Sequence, residues 1–357
     1  MALSFDILAS TLRILRDREV DNTFRTVPLL DAVQKAGNVE KVNGGSKVDH
    51  PVILTEHSSI TQLATGYESV NLAVKDPLRT AVFDWCDFVA PVVVTEKEQL
   101  SNKGDRAVIR IAEARLKSVM GMLKREWERQ TVAGNSTILT ELNTLNGEGV
   151  VAAGRWGPVA PADPNGFFEL GVFGTIGAGA QTNTVGGIAK TSFPTSWNNQ
   201  SHDVGGNFTA GAGRGLLGMS DLMIQTSIYA PEGDIDIILA SPNSYEQYRN
   251  VLAQLERYSS MEQMKGTAGR LGILYNGSMM YIEPNLGFTD AANTQPISMY
   301  FLNSKLFSVY FDRDAFFEMG KMERISGYAA MSSNILTRSQ LCISNLSGQG
   351  VLLDAEV

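Results

Sequence analysis

Cysteine, histidine and charge are all scarce in this chain, and each scarcity closes off a class of function. Its 357 residues include two cysteines, Cys86 and Cys342, and three histidines, His50, His57 and His202. The two thiols lie far apart in apolar, strand-like runs. They read as free buried cysteines of a reducing cytosol, not as a disulfide framework. The histidines occupy contexts rich in Ser, Asp and Gly. None stands four residues from another and none pairs with a cysteine at metal-ligand spacing, so all three read as surface residues and no metal is expected. Charged residues reach only 19%, against about a quarter in a usual soluble protein. Ser, Thr, Asn, Gln and 34 glycines fill the gap, a composition that suits close contact with other protein because little charge must be desolvated. The formal net charge of −8 speaks against general phosphate binding, which needs a basic footprint. No apolar run approaches the roughly 18 residues of a membrane span. Near the start, Asp6, Arg13, Arg16 and Asp17 interrupt any signal-peptide core.

Catalytic signatures are equally sparse. There is no Gly-x-Ser-x-Gly elbow and no Walker-type loop. Gly213-Arg214-Gly215-Leu216-Leu217-Gly218 matches the dinucleotide fingerprint in spacing. That fingerprint also needs a strand just before it and an acid at the end of the next strand. Gly205 to Gly211 has no strand core, and Asp234 and Asp236 stand at the wrong end of the following strand. The six residues read as a glycine-rich loop entering a helix, so a nucleotide-binding enzyme built on 213–218 is set aside. Neither catalytic residues nor a cofactor is expected. Glu96 and Glu98 read as helix-terminal charges.

What the chain has is a stretch around which the rest is organised, Leu78 to Gly134. Leu78 to Asp84 alternates as a strand, with Ala81 and Phe83 on one face. Phe88 to Thr95 is a second strand filled with Val89, Val92, Val93 and Val94, residues that suit a pleated, buried surface. From Asp105, an N-cap after Gly104, the period changes. Val108, Ile111, Ala112, Leu116, Val119, Met120, Leu123 and Trp127 form one stripe and Gly134 closes a helix over about 105–133, a rod of roughly 40 Å. So long a stripe needs a sheet or neighbouring chains along its length.

Ahead of it, residues 4–19 form an amphipathic helix with Ile7, Leu8, Leu12 and Leu15 on one side. A second helix, Leu29 to Lys35, follows Pro28 and stops at Gly37. Neither buries its stripe alone. Val39 to Leu54 reads as a hairpin turning at Asn43-Gly44-Gly45. The polar β pattern over 38–77 lacks bulk for its own core, so a partner must stabilise it. After the long helix, residues 135–215 are dense in Gly, Asn and Thr. A helix then spans Leu216 to Ala230, packing Leu217, Leu222, Ile224 and Ile228. Strand Ile235 to Ala240 leads through Ser241-Pro242, an N-cap with Pro at N1, into a helix from Tyr245 to Tyr258. Strands follow at 272–276, 279–283 and 299–302. Phe307 to Phe311, Phe316 to Arg324 and Leu336 to Leu346 complete the set as long strands, the last two returning to the unit of the long helix.

These residues carry a resemblance. An amphipathic arm, a polar β excursion holding Gly66-Tyr67-Glu68, the strand from Asp76-Pro77-Leu78 to Trp85, and Val92 to Glu98 leading through Asn102-Lys103-Gly104 into the long helix resemble the major capsid proteins of tailed bacteriophages with the Hong Kong 97-type fold. The resemblance covers the whole chain in element order and is most specific over 66–134. It implies an α+β fold with an N-terminal arm (1–37), an extended β-hairpin loop (38–77), a peripheral domain with the long spine helix (78–134 and 315–357) and an inserted α/β axial domain (135–314). It implies a structural virion protein, assembled in the host cytoplasm as hexamers and pentamers of an icosahedral shell around double-stranded DNA. The partners are other copies of the chain, with portal, scaffolding and decoration proteins, and no membrane. The implied contacts between subunits are Leu8, Leu12 and Leu15 of the arm, and Lys41, Asn43, Gly44, Gly45, Lys47, Tyr67 and Glu68 of the loop. Some members cross-link a loop lysine to a distant asparagine. Lys41, Lys47 and Asn345 are present, but no motif demands that chemistry and none is expected. The arm opens at residue 1, so no trimmed leading segment is expected and any scaffold is a separate protein. An encapsulin-like nanocompartment, which shares the fold and encloses cargo enzymes, is the alternative.

Overall fold

The computed structural model describes residues 27–55, 66, 69, 76–97, 111–133, 184–193, 196–204, 208, 214–230, 233–255, 273–286, 297–321 and 323–353. In chain order these form α1 (Pro28–Ala36), β1 (Val39–Val42), β2 (Lys47–Ile53), β3 (Leu78–Asp84), β4 (Cys86–Thr95), α2 (Ile111–Ala133), β5 (Thr184–Val185), β6 (Ile188–Ala189) and β7 (Gln200–Asp203). Then come α3 (Arg214–Tyr229), β8 (Ile237–Ala240), α4 (Pro242–Leu255), β9 (Ile273–Tyr275), β10 (Ser278–Ile282), β11 (Ile297–Leu302), β12 (Phe307–Asp312), β13 (Glu318–Met319), β14 (Glu323–Arg324), β15 (Ala330–Ile343) and β16 (Gly350–Leu353).

The first sheet is built on β15. Its 14 residues pair along one edge with β4, from Ala330 opposite Thr95 to Ser339 opposite Cys86. The other edge takes β12, β13 and β14 in turn, all antiparallel. Alternation in β4 sends Val92 and Val94 inward and Val89 and Val93 outward. The C-terminal half of α2 lies on the inner face. Leu123 and Trp127 are buried there, with the Trp127 ring 6.3 Å from that of Phe311. The Trp127 indole N–H donates to Ser339 Oγ at 2.9 Å, so this buried ring has its polar handle satisfied.

The second sheet runs β7-β16-β11-β8-β10-β9. β8 is buried on both faces, as a continuous apolar run predicts. One face, through Ile238, Ala240, Phe301 and Leu352, packs against Met219 and Leu222 of α3 and Tyr245 and Tyr248 of α4. The other face, through Ile237, Leu239, Tyr300, Leu302 and Val351, joins α1, α2 and the first sheet in one continuous core. α1 begins at Pro28 and ends at Gly37, whose φ of 78° makes the left-handed C-terminal turn. Ser241 caps α4 by accepting from the Ser244 amide at 3.1 Å, as the Ser-Pro pair predicts. Of the segments expected in 135–314 and 315–357, β12 pairs in the first sheet and β16 in the second.

The hairpin expected at 39–54 is not formed. β1 instead runs parallel to β12, Val39 opposite Val309, and β2 runs antiparallel to β3, from Lys47 opposite Asp84 to Ile53 opposite Leu78. Asn43, Gly44 and Gly45 are the bend that redirects the chain between the two pairings, Gly44 and Gly45 having φ of 59° and 113°. The reason is burial: β12 offers β1 a mostly buried, aromatic partner, and Val48, Val52, Ala81 and Phe83 bury one face of the β2–β3 ribbon. That face rests on the β5–β6 turn, where Val82 donates its amide to the Gly186 carbonyl at 2.9 Å. The long strand expected at 316–324 is also interrupted. Phe317 adopts φ 51°, and Phe316 and Phe317 turn onto Phe311, with ring centroids 4.9 and 5.9 Å away. Only β13 and β14 remain paired. Of the long helix, residues 105–110 lie outside the described residues, as does the expected helix at 4–19.

Trp127→Ala should remove the ring between α2 and the first sheet and cost about 3–5 kcal/mol. Urea denaturation followed by near-ultraviolet circular dichroism measures it, with the midpoint falling and the slope retained.

Candidate assembly surfaces and a buried carboxyl junction

Three segments meet at the C-terminal half of α2. Glu128 is buried, and the amides of Leu29 and Leu30, the free N–H groups of the first turn of α1, donate to its two oxygens at 3.1 and 3.5 Å. A carboxyl group there serves α1 as an N-terminal cap supplied from another element. Glu283, buried just beyond β10, is its other neighbour and holds the Asn285 amide and side chain at 3.0 and 2.6 Å. Burial pushes the Glu128 carboxyl well above its ordinary range; the charge of Glu283 and a hydrogen bond to it push the same way, and the two α1 amides oppose.

The outer surfaces are apolar where a lone soluble chain would carry charge. Ile53 and Leu78 stand opposite one another at the far end of the β2–β3 ribbon, 71% and 55% exposed. At the near end the same face carries the Lys47–Asp84 ion pair at 3.0 Å, which is exposed and adds little stability. On the outward face of the first sheet Val89 stands opposite Leu336, with Val93 exposed further along β4. The bidentate Arg338–Asp87 pair, at 2.7 and 3.1 Å, closes that patch. Singly exposed apolar residues are ordinary, but cross-strand pairs make contiguous patches, which mark contact sites.

The residues singled out by the sequence fall into three groups. Leu8, Leu12, Leu15, Tyr67 and Glu68 lie outside the described residues. Lys41 is in β1, its ammonium 3.8 Å above the Phe316 ring, whereas Lys47 begins the ribbon; with Asn43, Gly44 and Gly45 they do not form one hairpin tip. Asn345 donates its side-chain amide to the Tyr229 carbonyl at the end of α3, at 3.0 Å, and accepts from the Ser347 amide at 2.8 Å, which makes it a turn-forming residue here. His202 is not a loop surface residue. It lies on β7, half-buried, with Nδ1 3.0 Å from Asp221 of α3. Cys86 and Cys342 are buried, as expected, and are not joined in a disulfide.

The glycines of 213–218 have a packing reason. A Cβ at Gly215 would sit 2.4 Å from the Phe208 ring, and one at Gly218 would lie 2.6 Å from the His202 ring and 3.0 Å from Leu352. They let α3 approach β7 and β16 closely, and that choice of face overturns the expected core of α3. Leu222 is buried, but Leu217, Ile224 and Ile228 face outward. The apolar pairs Ile53/Leu78 and Val89/Leu336 were missed because cross-strand partners far apart in sequence are visible only once the register is known. Among the described residues no three His, Cys, Asp or Glu side chains converge to hold a metal, and no described helix is long and apolar enough to cross a membrane.

No family model and no curated protein matches the sequence. Solved structures match the fold from end to end. The capsid of a native GTA particle superposes with a TM-score of 0.58 over 99% of both chains at 10% identity. The capsid of cyanophage A-1(L) gives 0.60 over 96% of this chain and 97% of its own at 11% identity. The holo-SrpI encapsulin of Synechococcus elongatus gives 0.54 over 100% and 97% at 12% identity. The chain thus has the mixed α and β fold of phage and GTA capsid proteins, as the resemblance to tailed-phage major capsid proteins implied.

Two measurements follow. With the folded pKa of Glu128 raised above its unfolded value, its contribution to stability is full at acid pH and is lost as pH rises through the folded pKa. The melting temperature of the unassembled chain should therefore fall from pH 5 toward pH 9, and Glu128→Gln should flatten that slope and gain at the alkaline end, read by scanning fluorimetry. Gly215→Ala should cost about 1–3 kcal/mol by overpacking against Phe208, read as a lowered urea midpoint.

Proposed function

We propose that this chain is a structural shell protein, the major capsid subunit of a tailed-phage-type virion. Copies assemble as hexamers and pentamers into an icosahedral shell enclosing double-stranded DNA, inside the host cytoplasm, without sequence-specific binding and without catalysis. The observation that carries this reading is the end-to-end match to capsid chains: nearly the whole of each chain is covered, so the likeness extends over the full length of the fold and is not confined to one part of it. The physical chemistry supports it. A charge-poor surface with apolar pairs at a ribbon end and on a sheet face gains by covering those pairs with a neighbour. A closed shell repeats each modest contact many times over, so weak contacts add to a stable particle. The acidic balance keeps the inner wall from trapping DNA.

In this reading residues 1–37 are an arm whose Leu8, Leu12 and Leu15 lie on a neighbouring copy. The extended loop is the β2–β3 ribbon with the residues between its strands, so that Ile53, Leu78, Tyr67 and Glu68 reach the next subunit. α2 is the spine of the peripheral domain and the second sheet with α3 and α4 is the axial domain. Portal, scaffolding and decoration proteins are its further partners. The encapsulin likeness supports a second reading, a nanocompartment around cargo protein.

Electron microscopy of the purified chain beside its mass in solution tests the shell. Closed particles tens of nanometres across, or rings of five and six copies, are expected. A monomer or dimer at every salt and crowding condition, with scaffold co-expressed, overturns it. Nuclease-protected DNA in native particles supports the virion, and a stoichiometric cargo enzyme in its place supports the compartment.

A further inference from the structure

α3 has two apolar faces, and the sheet uses only one. Gly215, Gly218, Met219, Leu222 and Thr226 are buried toward β7, β16 and the core beneath. On the opposite side Leu217, Ile224 and Ile228 are 62%, 46% and 67% exposed, with Ser220 and Ser227 exposed between them. An ordinary surface helix presents charge on its outer face. Here Asp221, the only charged residue after Arg214 in the helix, is turned inward onto His202 and Gln225, at 3.0 and 3.1 Å. The outer positions 217, 220, 224 and 227 follow the three-four spacing of a helix seam. Serine at alternate places lets a neighbouring backbone come close.

We propose that this uncharged stripe of α3 is a contact between neighbouring copies of the chain within the assembled shell. The proposal rests on the shell reading and adds to it a surface on the helix that covers the second sheet. Two arguments select a second copy as the occupant. Each copy carries a formal charge of −8, so identical molecules repel, and they meet at least electrostatic cost along a strip without charge. The area argues the same way. Three side chains expose on the order of a few hundred Å², whereas a free-standing complex buries about 800 Å² on each partner. A strip this small does not hold a separate protein by itself. It suffices where the same two molecules also touch elsewhere, as adjacent copies in a closed assembly do.

The test pairs Ile224→Glu/Ile228→Glu with a photoreactive p-benzoylphenylalanine at position 224, both in the full chain. The double variant should melt like wild type, since both side chains are exposed, yet yield at least about tenfold fewer shells, each contact being lost many times per particle. In wild-type-like shells the photoreactive residue should cross-link to another copy of the same chain, located by peptide mass spectrometry. Should the double variant misfold, Ile224→Ser and the cross-link decide. Wild-type shells beside variant shells of equal yield overturn the contact and leave the shell reading standing. So does a cross-link to a different polypeptide, or none in intact shells. A wild-type chain that never assembles removes both.

Discussion

The structure depends on two helical turns of α2, Trp127 to Val132, which are tied to everything else. Trp127 fills the inner face of the first sheet and donates to Ser339 of β15. Glu128, one residue on and pointing elsewhere, caps α1 and meets Glu283 beside the second sheet. Val132 is buried, and its carbonyl accepts from the Tyr300 hydroxyl of β11 at 3.4 Å. Successive helical residues diverge by about 100°, so one rod can hold three elements at once. Through this segment one face of the second sheet shares a continuous core with the first sheet, while its other face packs a separate core with α3 and α4.

A buried carboxyl pair at that junction is an unusual choice. Replacing such a pair by apolar residues of similar volume is often neutral or stabilising, so its presence costs stability that the surrounding apolar contacts must offset. What it supplies is direction. The first-turn amides of Leu29 and Leu30 share one carboxyl acceptor deep in the core, which fixes where α1 begins.

On the outside, low charge content has a local meaning. Many of the exposed apolar side chains gather at one end of the two-stranded ribbon, on the outer face of the first sheet and along the outer stripe of α3. The ion pairs Lys47–Asp84, Arg338–Asp87 and Arg324–Glu96 lie on the ribbon and the first sheet beside the apolar pairs, and the outer stripe of α3 carries no charge.

Local chemistry alone determined much of this. Period-2 runs announced β3 and β4, Ser241-Pro242 announced the start of α4, Gly37 announced the end of α1, and the stripe through Leu123 and Trp127 announced α2. Each depends on residues within one or two turns of each other, so the sequence contains the whole cause. Pairing was decided by tertiary structure. β1 and β2 look like a hairpin because only neighbours are in view; the partners they take, β12 and β3, bury more apolar surface and lie far along the chain. The same holds for α3, where Leu217, Ile224 and Ile228 are as apolar as Leu222. Sequence pattern cannot rank two apolar faces, whereas the space left by Gly215 and Gly218 beside Phe208 and His202 admits only one of them to the sheet.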